Sequence, residues 1–324
     1  MTEYLGYILA ILSALSWAFG TILFSKLKSY KSNYSPVLIN LFKNSIGFII
    51  IGLALYYNGY PLLSFFLEGN ANYNNTYTIT IIILSGIIGM GIAESLYISA
   101  ISLTNVNLVA IIGSTLSLFI FIFSIIFSIL FPQNFPKQQW PPQSMEIIGF
   151  GLIIFSIIIS SWNINNFSTN NLKGLIFALI AICLMGLSAS LTNSVVHLVR
   201  DSVLSILWLI WIRLIPGILT PLIIISFSQN ISIIKSYRML KQNKIELLLL
   251  FSASIMFSCL AISFWAIGMS YESENVAIFS ILAQTSNLLI FALGWLLLKE
   301  TINKNKIIGI LLSFLGVILI VLSK

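Results

Sequence analysis

The chain has 324 residues, of which 58% are apolar and only 8% are Asp, Glu, Lys or Arg. A soluble globular domain carries roughly a quarter charged residues, so a soluble enzyme, a disordered chain and a nucleic-acid-binding module are excluded. The net charge of +7 sits in short loops beside apolar runs, where basic residues set membrane topology.

A span of the bilayer takes about 20 apolar residues, and the first runs of that length fall at about 5–24, 37–57, 79–102, 108–131 and 146–162. A second set follows at about 174–198, 204–227, 245–269, 276–298 and 306–323. Backbone groups in lipid must be satisfied within the segment, so each run is predicted helical. Runs such as Ile79 to Ile92 do not alternate as barrel strands would. Glu3 and the lack of a basic flank argue against a cleaved signal peptide in the first run. The longer linkers are Asn58 to Tyr77, Pro132 to Met145, and Gln229 to Lys244 with its four basic residues. Cys183 and Cys259 both lie inside spans and read as small core side chains, not as a disulfide or a metal pair.

The two halves repeat one another around an Asn-rich break at Asn163 to Asn171. Gly6 to Ala10 recurs as Gly174 to Ala178, and Lys43 with Gly47 recurs as Arg213 with Gly217. Val109-Ala110-Ile111 recurs as Val276-Ala277-Ile278, and Ile147-Ile148-Gly149 as Ile307-Ile308-Gly309. This shared order predicts a duplication, with repeats at 1–163 and 172–324. Five spans per repeat is odd, so the second repeat enters the bilayer in the opposite direction. The fold expected is all-α, with ten transmembrane helices as two inverted five-helix repeats, an architecture of secondary transporters.

These features resemble the drug/metabolite transporter superfamily and its EamA-like members. The residues carrying the resemblance are Trp17-Ala18-Phe19-Gly20, Lys43, Ala100 to Ala110, Leu298-Lys299-Glu300, Ile308-Gly309 and Gly316-Val317. The resemblance covers nearly the whole chain. It implies a bundle that exports or exchanges small metabolites, often amino acids or related compounds. It also implies a central cavity lined by spans one to four and six to nine, with spans five and ten outside. Two departures stand out: lysine at position 43 where the family more often has arginine, and no proline in the fourth and ninth spans, so no proline kink is expected there.

Ionisable groups inside spans are costly and face a bundle interior or a watery cavity. Lys43, Glu94 and Arg213 qualify. The two cations, brought together from inverted repeats, would attract a carboxylate or phosphate; the plainer alternative is that they snorkel to an interface. Glu94, drawn on one helical face with Gly91 and Tyr97, is a candidate for proton coupling or for an ion pair with Lys43 or Arg213. In the ninth span Ser280, Gln284, Asn287 and Phe291 recur at helical spacing, and in the fourth Ser114, Ser117, Phe121, Ser124 and Ser128 do likewise. Such stripes serve as packing glue, but Gln284 and Asn287 are also cavity candidates because a buried side-chain amide needs a partner. Trp17 and Trp265 lie deep in their spans, available to stack on a substrate or to fill the core. The candidate substrate-binding set is therefore Trp17, Lys43, Glu94, Tyr97, Arg213, Trp265, Gln284 and Asn287. His197, the only histidine, reads as interfacial beside Arg200 and Asp201.

The expected function is secondary transport of a small polar metabolite by alternating access, with no cofactor, no metal and no nucleic-acid partner. A sugar-phosphate or nucleotide-sugar exchanger of the same superfamily is the alternative. An intramembrane enzyme is disfavoured: Asp201 is the only aspartate, and neither H-E-x-x-H nor a phosphate-binding G-x-x-x-x-G-K-[ST] loop is present. A functional monomer, with a dimer as the alternative, in the plasma membrane is expected. Orientation is contested: most lysines and arginines fall on the face opposite the termini, so charge places both termini outside, whereas the resemblance implies both inside.

Overall fold

The computed structural model describes residues 5–28, 34–60, 76–132, 144–161, 169–199, 202–228, 242–271 and 276–322. Those residues form helices and their connections, with no strand among them. His197's side chain, Arg200, Asp201 and the linker lysines 235 and 241 lie outside the described residues.

Helices α1 (Leu5–Lys28) and α2 (Pro36–Tyr57) come first. Next, α3 runs through Thr76–Ser85, a π-helical stretch Gly86–Ala93 and Glu94–Leu103. Helix α4 consists of Val106–Gly113 and Leu116–Leu130, and α5 is Ser144–Ser161. The second half has α6 (Thr169–Val199), α7 (Val203–Ser226) and α8, which joins Lys244–Ser254, a π-helical stretch Ile255–Ala261 and Ile262–Tyr271. Helices α9 (Val276–Leu298) and α10 (Lys304–Leu322) complete the bundle. Among the described residues seven helices are long and apolar enough to cross a membrane: α1, α2, α3, α4, α6, α7 and α8. Shorter apolar helices occupy Ile147–Ile159 and Leu282–Leu298. The protein is an all-α integral membrane protein.

Glycines mark where the two halves cross. A Cβ on Gly47 of α2 would lie 2.8 Å from Cβ of Ser258 in α8, and one on Gly217 of α7 would lie 2.7 Å from Cβ of Met90 in α3. Both crossings fall on a π-helical stretch. Such a stretch interrupts the regular backbone ladder and is frequent at functional sites. Helices α5 and α10 pack on each other, with Gly316 close to the Gly149 carbonyl, and meet the rest of the bundle through α4 and α9.

Two local departures from helical regularity have chemical causes. Without any proline, α4 still breaks at Ser114 and Thr115. Their hydroxyls donate to the Ile111 and Ile112 carbonyls at 2.6 and 2.7 Å, and the Thr115 N–H bonds only three residues back, to Ile112. Hydroxyls that bond the preceding turn bend helices in this way. The π-helical stretch in α3 leads into the segment that carries Glu94 and Tyr97. Gly91 lies against Thr220 of α7, Glu94 meets Lys43 of α2, and Tyr97 packs near Trp17 and Phe257.

One end of the bundle can be read from its polar contacts. Lys28, the last residue of α1, donates to the Thr104 carbonyl at the end of α3. Gly174 near the start of α6 packs against Leu103 and Thr104. Helix α1 therefore ends where α6 begins, at the end of the bundle away from residues 5 and 322.

Candidate functional site

The site is assembled on α2. Lys43 is fully buried and forms an ion pair with Glu94, itself 4% exposed, in the first turn after the π-helical stretch of α3. Arg213 of α7 is also buried and acts electrostatically on Glu94. Its Nη2 donates to Ser188 Oγ of α6 at 3.1 Å, and Ser188 donates in turn to the Ser85 carbonyl of α3 at 2.8 Å. The Nε of Arg213 has no hydrogen-bond partner. Two cations thus face one carboxylate, deep in the bundle. The three ionisable residues singled out from the sequence are brought together, drawn from α2, α3 and α7.

Asn40 and Asn44 hold the backbone beneath this cluster. Asn40 donates to the Met90 and Gly91 carbonyls at 2.9 and 3.0 Å, and to Ser95 Oγ at 2.9 Å. Asn44 donates to the Met90 carbonyl at 3.0 Å and the Gly217 carbonyl at 2.9 Å. The second contact has a clear origin: Pro221 lacks the N–H that would pair with Gly217 four residues earlier. In lipid such a carbonyl must find another donor, and α2 supplies it. Between the halves, Ser13 of α1 donates to the Ala261 carbonyl, at the end of the α8 π-helical stretch, at 2.8 Å.

An aromatic wall closes the α1 side. The Lys43 ammonium lies 4.8 Å from the centroid of the Phe257 ring, a cation–π contact. Phe257 packs on Trp17 with ring centroids 4.0 Å apart, and Tyr97 is 6.2 Å from both. Gly20 admits Phe257, whose Cβ would lie 3.1 Å from an added Cβ. Trp17, Lys43, Glu94, Tyr97 and Arg213 therefore belong to one neighbourhood. Trp265 packs in a different apolar cluster, with Ile262, Trp208 and Trp211. Asn287 donates to Gln284 Oε1 at 2.9 Å one turn earlier on α9, and Gly113 of α4 faces the Asn287 amide. The α9 stripe thus faces α4 and not Lys43; the side chains of Ala277 and Ser280 lie outside the described residues. Cys183 and Cys259 are both free thiols.

Phe257, Ser188, Asn44 and Pro221 were not read from the sequence as parts of the site. For Asn44 a signal existed: an amide next to Lys43 in an apolar run, and a proline four residues past Gly217 that frees a carbonyl. Nothing in the sequence pairs Phe257 with Lys43, because the contact crosses between the halves.

The profile of the EamA-like transporter family matches residues 4–162 and again residues 172–322. The chain belongs to the EamA-like transporter family. That placement agrees with the resemblance read from the sequence and makes the protein a membrane transporter of the drug/metabolite superfamily. A crystal structure superposes with a TM-score of 0.59 at 14% identity, covering 98% of this chain and 95% of that one. At that identity the likeness speaks for the fold alone. No curated protein matches the chain.

Proposed function

We propose that the protein is a secondary transporter that carries a small polar metabolite with an anionic group, an amino acid or related compound, by alternating access. The observation that carries this reading is the buried cluster of Lys43, Glu94 and Arg213, with two cations on one carboxylate and Arg213 Nε unpartnered. Charges are kept at such depth only where they pair or meet a substrate, and a carboxylate or phosphate would balance the surplus cation.

The architecture proposed is ten transmembrane helices in two five-helix repeats of inverted topology, at 1–163 and 172–324. Supporting it are the family match to each half, the π-helical stretches in α3 and α8, and the ending of α1 where α6 begins. Such repeats place a substrate site at their interface near the bilayer midplane. Helices α2, α3, α7 and α8 meet there, and the buried cluster corresponds to an occluded state. We place the protein in the plasma membrane as a monomer with a small-molecule substrate; reporter fusions at the C-terminus decide its orientation.

The test is uptake by reconstituted vesicles offered pooled amino acids, organic acids and sugar phosphates. One pool is expected to enter above the level of empty vesicles, and Lys43→Ala and Arg213→Ala should each abolish the uptake. Preferential uptake of sugar phosphates would select the exchanger alternative. Undiminished uptake by Arg213→Ala would remove the anion-binding role. Glu94→Gln transport at full rate with unchanged pH dependence would remove proton coupling.

A further inference from the structure

We propose that Glu300 is a gating latch: its carboxylate ties the second half of the chain to the first at one end of the bundle, and must release α4 before the buried site opens there. The proposal rests on the transport reading above. Glu300 follows α9, yet its Oε1 accepts from the Val106 N–H at 2.8 Å and its Oε2 from the Asn107 N–H at 3.2 Å. These are first-turn donors of α4 with no partner inside their own helix. A carboxylate there is favoured both by the helix dipole and by charge-assisted bonding. An ordinary cap would come from the same half, and α4 already has one: Asn105 accepts from the Leu108 N–H at 2.9 Å. Glu300 adds a bond between halves.

The surroundings fit a closed state held by that bond. Lys299 has a φ of 54°, the only positive value at a non-glycine among the described residues. L side chains avoid this conformation, and it persists at sites where other contacts over-determine it. It turns the chain back so that the Glu300 N–H donates to the Gly294 carbonyl at 3.2 Å and the carboxylate points at α4. Beside it, Asn107 is fully buried with neither amide atom hydrogen-bonded, its Oδ1 against Gly294. A buried amide without a partner favours any state that admits water. Lys28 and Lys306 feel Glu300 electrostatically, which brings the end of α1 and the start of α10 to the same point. A second tie between halves, from the Tyr34 hydroxyl to Glu246, lies at this end. The orphan amide pushes towards opening, and the Glu300 bonds oppose it.

The experiment uses the native Cys259, buried in the π-helical stretch of α8 beside Phe257, as reporter in a Cys183→Ser background. The reconstituted carrier is exposed to a membrane-impermeant maleimide from each vesicle face in turn. Glu300→Gln should raise the labelling rate from the face bearing residue 300 by about tenfold, the weight of losing a bond to a charged group. The rate from the other face should stay level or fall, and Glu300→Asp should restore most of the wild-type rate. An unchanged rate for Glu300→Gln, or an equal rise from both faces as a loosened fold would give, overturns the latch. Wild-type protein labelled equally from both faces under all conditions overturns the transport reading, and the latch with it. Wild-type labelling from one face at a time, with Glu300→Gln unmoved, overturns the latch alone.

Discussion

Glu94 is the single carboxylate facing two cations, so the three charges should not be equivalent in stability. Glu94→Gln leaves Lys43 and Arg213 buried without a counter-charge. Breaking a buried ion pair from one side costs about 3–5 kcal/mol, because a charge is left uncompensated. Lys43→Met removes the partner differently: the apolar stem is kept under the Phe257 ring, and Glu94 retains Arg213. Its cost should be about half as large. At about 2 °C per kcal/mol for a chain of this size, the melting temperature should fall by about 6–10 °C for Glu94→Gln and about 3–5 °C for Lys43→Met. The double variant should melt above Glu94→Gln alone, since one of the stranded cations is gone, a coupling of about 1–3 kcal/mol. Thermal unfolding of the detergent-solubilised protein, followed by tryptophan fluorescence, measures all three. The reasoning is refuted if Lys43→Met is the more damaging change, or if Glu94→Gln melts within about 1 °C of wild type.

Two further predictions test the packing beneath the site. Asn44→Leu leaves the Met90 and Gly217 carbonyls without their side-chain donor and should cost about 1–3 kcal/mol; a melting temperature equal to wild type would mean that water replaces the amide. Gly47→Ala forces a methyl to 2.8 Å from Cβ of Ser258, on a rigid helix crossing. It should cost about 1–3 kcal/mol, whereas Gly151→Ala, where nothing lies within 4 Å of the added carbon, should leave the melting temperature unchanged or slightly raised.

The sequence by itself determined the medium and the helical character of the apolar runs. Lipid imposes a length and a composition on every helix that crosses it, so the runs read at 37–57 and 276–298 return as Pro36–Tyr57 and Val276–Leu298. It also named Lys43, Glu94 and Arg213, because a charge within an apolar run is conspicuous wherever the helix happens to point. Only the tertiary structure decided that the three converge, that Trp265, Gln284 and Asn287 lie elsewhere, and that Phe257 covers Lys43. The π-helical stretch at Gly86–Ala93 and the contacts of Phe257 and Asn44, which join the two halves of the chain, belong to the packed bundle. Neither a π-helical stretch nor a contact between residues some 170 or more positions apart leaves a local pattern in the sequence. Burial depth and facing direction are properties of the packed bundle, fixed by where glycines let its helices cross.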